Sequence, residues 1–396
     1  MKILYLFNRG LMTPDLAMSL ILAGHQVDII DNYECTYVID DEICRNKITE
    51  AILNVEKEAP YDFVISYNYV PSAAYVCDAM GLLYISWMYD SWQPTLYSEA
   101  IVLPCNRIFV FDSTEYKYIK GMGVGHVYLL PLAVNYDRLS EMDLADVDNR
   151  YNCEISLLGK LYCDESVNGY NAMKMSLEDN IRYKIDEIIQ NTAGNWSDGT
   201  VWFDELQKLD YSKIPNVDTA DERKKCLLTD DIYYTSICFA RAITQMDRTM
   251  VLNSLAKRHK TRIYTYEKPI GLIPEVEVHN GVDYMDEMPK VFFNSKINLN
   301  VSLRSILTGI PLRAFDVMGS GGFLMSNKQK DMDGIFIDGV DYVSFDSIDD
   351  LADKAEYYLH HEDERIKILI HGYRKVCNYH TYQHRINEIL NICGMG

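Results

Sequence analysis

Apolar residues come in short runs divided by polar turns and helix-length segments, and this spacing discloses the fold class. The opening run, Lys2-Ile3-Leu4-Tyr5-Leu6-Phe7, ends in the turn Asn8-Arg9-Gly10. A helical segment to Leu22, the pair Gly24-His25 and a second run, Gln26-Val27-Asp28-Ile29-Ile30, follow. Strand, helix and strand in that order predict a βαβ unit. Further strand-like runs stand at Phe63 to Ser66, Leu83 to Trp87, Arg107 to Phe111 and His126 to Leu130. A second series starts at Ile155 to Leu158, breaks off, and resumes at Thr261 to Thr265, Lys296 to Asn300, Gly322 to Met325 and Tyr342 to Phe345. Strands alternating with helices in this way predict parallel sheets covered on both faces.

Two such series in 396 residues fit two domains of ordinary size better than one oversized core. The join is expected between Asn135 and Asn149, where Asp and Asn cluster, with an N-terminal Rossmann-like domain over 1–140 and a C-terminal one over 150–396. From about 164 to 244 the alternation stops; the stretch is rich in Tyr and charge, has helical spacing, and reads as a helical insertion in the second domain.

Composition narrows the function classes. Hydrophobic residues make up 48% and charged residues 24%, as in globular enzymes. A net charge of -20 repels DNA and anionic lipid over most of the surface, so no nucleic-acid partner is expected. A compact phosphorylated ligand needs only one local pair of cations and stays open. The ten cysteines include no C-x-x-C pair and are expected as reduced, mostly buried thiols, and no metal site is expected. The chain opens without a secretory-signal pattern and has no apolar stretch long enough for a bilayer, so a cytoplasmic location is expected.

Ligands of open α/β sheets bind beyond the carboxyl ends of the strands, which makes the polar residues after each strand the candidates. Asn300 to Leu324 is the richest segment. A strand gives way to a turn with Thr308, Gly309 and Pro311, and a short helix carries Arg313 and Asp316 three residues apart on one face. Lys160, after the first strand of the second series, together with Arg304 and Arg313 would supply a diphosphate with the positive charge a metal otherwise provides. In the first half, Asp90 follows an apolar strand among Trp87, Tyr89, Ser91 and Trp92. Aromatic faces cover the C–H surface of a sugar while a carboxylate takes its hydroxyls or a proton, so Asp90 is the candidate catalytic residue. The turn Asn8-Arg9-Gly10 could present backbone N–H groups to phosphates or to an acceptor. Plainer readings stand beside these: an exposed Arg313–Asp316 ion pair, a solvated Lys160, and an Asp90 that caps a helix or is structural.

These segments carry a family resemblance. Asn300 to Leu324 resembles the nucleotide-sugar-binding region of family-4-like glycosyltransferases and, more closely, that of the spore-maturation CgeB-like glycosyltransferases. Tyr89-Asp90-Ser91, Pro104 to Asp112, Leu130 to Asn135 and Gly159-Lys160-Leu161-Tyr162 look like the same family, which leaves the insertion uncovered. The resemblance implies the GT-B architecture: α/β, two Rossmann-like domains facing across a cleft, the acceptor on the first and the donor on the second. It implies a nucleotide-sugar co-substrate, expected as a UDP-sugar, no other cofactor, retention of anomeric configuration, and a sugar, protein or small-molecule acceptor. Gly159, Lys160, Tyr162, Arg304, Thr308, Gly309, Pro311, Arg313 and Asp316 are its donor-side residues. Asp316 stands where the family carboxylate accepts the ribose hydroxyls, and Thr308 takes the place where the family's E-x7-E pair has its first Glu. Asp146-Val147-Asp148 spells the D-x-D of metal-dependent glycosyltransferases but lies in an acid-rich linker and is read as chance. A nucleotide-sugar epimerase or hydrolase on the same fold, or a non-catalytic binding protein, are the competing readings.

Overall fold

The computed structural model describes residues 1–10, 13–54, 60–145, 149–214 and 221–396, which leaves the Asp146-Val147-Asp148 spelling outside the described residues. The chain forms two compact units.

The first unit is built on six parallel strands, β1 (Lys2–Phe7), β2 (Gln26–Asp31), β3 (Phe63–Tyr67), β4 (Leu83–Trp87), β5 (Asn106–Val110) and β6 (Val127–Leu129). They lie in the order β2-β1-β3-β4-β5-β6, with Tyr5 opposite Ile29 on one side and Ile65 on the other. Every residue of β3 is buried, as a central strand covered by helices on both faces requires. Edge strand β2 has no buried residue and can carry Gln26, Asp28 and Asp31.

The second unit repeats the plan with β7 (Cys153–Leu158), β8 (Thr261–Thr265), β9 (Glu277–Asn280), β10 (Ser295–Asn300), β11 (Leu324–Asn327) and β12 (Val343–Phe345). Its order is β12-β11-β10-β7-β8-β9, all pairs parallel, so strands are added outward in one direction from β7 and in the other from β10. Ile155, Leu157, Ile263, Ile297, Leu299, Met325 and Phe345 meet in its core. Strand β9 went unread in the sequence because it is a short edge strand with no buried residue.

Helices fill the interruption after β7. In Asp179–Thr192 the residues Ile181, Ile185 and Ile189 are buried at a spacing of four, which makes one apolar stripe. The short helices Gly169–Met173 and Val201–Leu206 accompany it, and a π-helical stretch, Tyr234–Phe239, runs into the long helix Ala240–Ala256.

The unit boundaries differ from the expected ones. The C-terminal segment His380–Gly396, placed with the second domain from its position in sequence, packs in the first unit. Helix Tyr382–Ile392 buries Tyr382, Ile386, Ile389 and Leu390. Tyr67 and Tyr382 share a hydroxyl hydrogen bond of 2.6 Å, and Arg385 Nε donates to the Pro131 carbonyl at 2.9 Å. A short stretch ending at Leu228 also belongs there, where the Leu227 N–H donates to the Tyr97 carbonyl at 2.6 Å.

The cysteines need one correction. Cys35, in the turn after β2, and Cys44, in helix Glu42–Leu53, are buried neighbours joined by a disulfide with a Cα–Cα separation of 5.8 Å, while the other eight are free thiols. Among the described residues, no helix is long and apolar enough to cross a membrane.

Candidate functional site

Strand succession in the second sheet reverses between β7 and β10, and it is beyond the carboxyl ends of strands at such a switch that open α/β sheets bind ligands. Beyond β7 the chain passes through Gly159, whose φ of +145° suits glycine alone, to exposed Lys160 and then to Tyr162 at φ +60°. Glu267, beyond β8, fixes this turn by accepting the N–H groups of Leu161 at 2.5 Å and Tyr162 at 2.8 Å.

Arg248 closes the turn from helix Ala240–Ala256. Its Nε and Nη2 donate to the Val301 carbonyl at 3.0 and 2.7 Å, and its Nη1 donates to the Lys160 carbonyl. One guanidinium therefore ties the residue after β10 to the second residue after β7, with the Tyr162 ring 5.4 Å away. Three of the five N–H groups of an arginine are used in this way, and the other two make no hydrogen bond among the described residues. Burial lowers the Arg248 pKa from its ordinary value, and the positive charge of Arg313 acts in the same direction, against Tyr162, Asp247 and Glu267. The Arg248 guanidinium, bonded to the turn that carries Lys160, and the charge of Arg313 that reaches it make an environment that an anion relieves.

Arg313 and Asp316 lie on helix Leu312–Gly319, which starts at Pro311 in extended backbone. Asp316 is 5% exposed, so the reading of an ion pair on an open helix face fails. Its Oδ1 accepts from Tyr284 Oη at 3.1 Å, and its Oδ2 is 3.6 Å from Arg313 Nη1. Arg313 stacks 5.3 Å from the Phe292 ring and touches the Met288 sulfur. Thr308, Gly309 and Pro311 are buried in the turn before the helix, where the Thr308 carbonyl accepts the Asp331 N–H at 2.9 Å.

Arg304 has a different role from the one expected. It is 6% exposed and turned toward fully buried Asp247, with Nε 2.7 Å from Oδ2 and Nη2 3.0 Å from Oδ1. Nη2 also donates to the Asn195 carbonyl at 2.8 Å, and the guanidinium carbon lies 5.1 Å from the Trp196 ring. A carboxylate with no exposure needs a charged partner, and Arg304 supplies it. The arginine fork is engaged inside the unit rather than presented to phosphate.

The carboxyl end of the first sheet is held together differently. Asn68, just after β3 and at φ +57°, donates through Nδ2 to Asp90 Oδ2 at 2.8 Å and accepts the N–H groups of Tyr89 and Asp90 at 3.1 and 3.2 Å. Asp90 is half-buried, and it is Asp112 that caps a helix, at Ser113–Gly121. Next to Asp90, fully buried Glu115 accepts from Ser91 Oγ at 3.0 Å, the Trp92 N–H at 2.8 Å and Tyr97 Oη at 2.8 Å. Burial pushes Glu115 up to about 7, aided by the charge of Asp112 and opposed by those hydrogen bonds.

The turn after β1 folds back on itself. The Gly10 N–H donates to Asn8 Oδ1 at 3.0 Å, the Thr13 N–H to the Gly10 carbonyl at 3.1 Å, and Asn8 Nδ2 to the Tyr67 carbonyl at 3.3 Å. Arg9 pairs with Asp31 at the end of β2. The Gly10 N–H, one of the groups expected to meet a phosphate, is thus engaged within the turn.

Among the described residues, no group of three or more His, Cys, Asp or Glu is placed to hold a metal ion. His380 and His384 are four apart, yet His380 Nδ1 meets Arg385 Nη2 at 2.7 Å and His384 Nδ1 meets Thr381 Oγ1 at 2.7 Å. Sequence reasoning missed Arg248, Glu267, Tyr284, Asn68 and Glu115. Arg248 had a readable signal: it stands four residues after Thr244 and four before Leu252, in the buried stripe of its helix, where a charge is out of place.

Residues 248–391 match the family model described as "Glycosyl transferase-like". No curated protein matches the chain in sequence. Among solved structures, the chain is similar to sucrose-phosphate synthase from Thermosynechococcus elongatus, at 10% identity and a TM-score of 0.56, over 99% of this chain and 98% of that one. It is also similar to HepE of Anabaena in complex with UDP and glucose, at 12% identity and a TM-score of 0.50, over 99% of each chain. The two Rossmann-like units thus have the GT-B fold, and the glycosyl transferase-like segment covers the second unit from Arg248 onward and runs into the C-terminal helix of the first.

Proposed function

We propose that the chain is a glycosyltransferase that moves a sugar from a nucleoside diphosphate sugar to an acceptor hydroxyl. The observation that carries this reading is the convergence of Arg248, Arg313 and the Lys160 turn at the switch point of the second sheet, in a chain of net charge -20. Cations gathered at a switch point of an otherwise acidic protein suit a compact anion. The match of 248–391 to a glycosyl transferase-like family supports a nucleotide sugar as that anion, and the complex of the similar HepE with UDP and glucose supports a UDP-sugar.

In this reading the cations stabilise the charge that grows on the diphosphate as its bond to the sugar breaks, so no divalent metal is needed. Asp316, with Tyr284 beside it, takes the ribose hydroxyls, and Gly159, Tyr162, Thr308, Gly309 and Pro311 shape the turns around the donor. Asp90, steadied by Asn68, takes a hydroxyl or a proton of the acceptor in the first unit. Retention of configuration, implied by the family resemblance, is the expected stereochemistry.

The test is product analysis with a panel of UDP-sugars and glycoside acceptors in EDTA. Transfer that survives EDTA, and that Asp90→Asn abolishes while UDP binding persists, is the expected result. Turnover only with added manganese or magnesium contradicts the metal-free mechanism, and an epimerised sugar nucleotide formed without acceptor contradicts transfer itself.

A further inference from the structure

A pocket of about 340 Å³ lies between the helical insertion and helix Ala240–Ala256, at the lower end of the range of about 300–1,000 Å³ for small-molecule sites. Gly169–Met173 and Asp179–Thr192 form one wall, and the loop after β8, at Ile270 and Gly271, closes one end.

Its lining combines unused hydrogen-bonding groups with an apolar patch and no net charge. Among the described residues, Asn171 Oδ1, the Gln190 amide and the Thr249 hydroxyl, on half-buried or exposed side chains, make no hydrogen bond to protein. Met246, Met250 and Ile270 supply the apolar part. The charged side chains cancel: Lys174 Nζ is 2.7 Å from Asp186 Oδ1, which also accepts Tyr170 Oη at 2.7 Å. An apolar ligand would leave the polar groups unpaired, at roughly 1–3 kcal/mol for each that it buries. An ionic ligand would find no counter-charge left over. A neutral polyol with one apolar face satisfies both halves of the lining, and a pyranose is such a molecule.

A chain of hydrogen bonds joins the pocket to the switch point. The Tyr162 carbonyl accepts from Asn168 Nδ2 at 3.0 Å, the same amide donates to Gln245 Oε1 at 3.0 Å, and Asn171 Nδ2 donates to that oxygen at 2.8 Å. Gln245 and Thr249 flank Arg248 on one helix.

We propose that this pocket is a second carbohydrate site, which binds a neutral sugar residue of the acceptor glycan. That the bound sugar belongs to the acceptor rests on the glycosyltransferase reading; that the pocket takes a sugar does not.

Saturation-transfer NMR on the full chain, with the methyl glycosides of glucose, galactose, mannose and N-acetylglucosamine as probes, tests this. Gln190 is exposed, so Gln190→Trp can block the mouth of the pocket without disturbing the core. The expected result is transfer to at least one glycoside in the wild type and its loss in Gln190→Trp, with the UDP affinity of the two proteins equal by calorimetry. No transfer to any glycoside, or transfer that persists in Gln190→Trp, overturns the proposal. A wild type that binds a glycoside in this pocket but not UDP would instead contradict the donor assignment and leave the sugar site standing.

Discussion

At the carboxyl end of the first sheet the polar side chains hold one another, whereas at the carboxyl end of the second the cations hold backbone and keep capacity in reserve. Asn68 grips the Asp90 loop and Glu115 the residues that follow it, so carboxylates and aromatic rings form a hydrogen-bonded network. Arg248 instead donates to two carbonyls and retains two N–H groups beside a second guanidinium. In the proposed function the same Rossmann plan thus presents two kinds of terrace, one for hydroxyls and one for phosphate. Fold alone does not divide the labour; the side chains after the strands do.

Not every cation in the second unit contributes to that contrast, and Arg304 gives the sharpest way to show it. Arg304→Ala leaves Asp247 buried and unpaired and should cost about 3–5 kcal/mol of stability. Urea denaturation measures the loss. A near-neutral Arg304→Ala with weakened UDP binding would return Arg304 to the phosphate site and redraw the comparison.

The next largest effect lies in the first unit. The pKa of Glu115 is raised in the folded state, so its contribution to stability is full below the ordinary carboxylate value and is lost as pH rises through about 7. The shift from 4.5 to about 7 corresponds to about 3 kcal/mol. Wild-type stability, followed by urea denaturation, should therefore fall between pH 5 and pH 8 by an amount that Glu115→Gln lacks, since an amide cannot ionise. Parallel pH profiles for the two proteins would mean that Glu115 is not the buried acid that steadies the Asp90 loop.

Much of this was legible in the sequence, and the misses have physical causes. A central strand buried on both faces such as β3, Phe63-Val64-Ile65-Ser66-Tyr67, announces itself as a mostly apolar run. Asp316 was singled out by its place between turns, which did not disclose its burial. Arg304 was misassigned because residue type and position after a strand do not disclose which way a side chain turns; the deciding partner, Asp247, lies 57 residues away. Arg248 and Glu267 were passed over because their partners are backbone groups brought near by folding, and no local spacing encodes such a contact. The C-terminal helix was given to the wrong unit because its apolar stripe reveals that it packs, not where.

The central claim is that the second unit holds a nucleoside diphosphate through Arg248 and Asp316, and calorimetric titration of UDP tests it most directly. Hydrogen bonds to charged groups contribute about 1.5–3 kcal/mol each, and 1.4 kcal/mol already corresponds to about tenfold in affinity. Arg248→Ala and Asp316→Ala, each verified as folded, should therefore bind UDP at least about tenfold more weakly than the wild type. An unchanged dissociation constant in both folded variants would contradict the account.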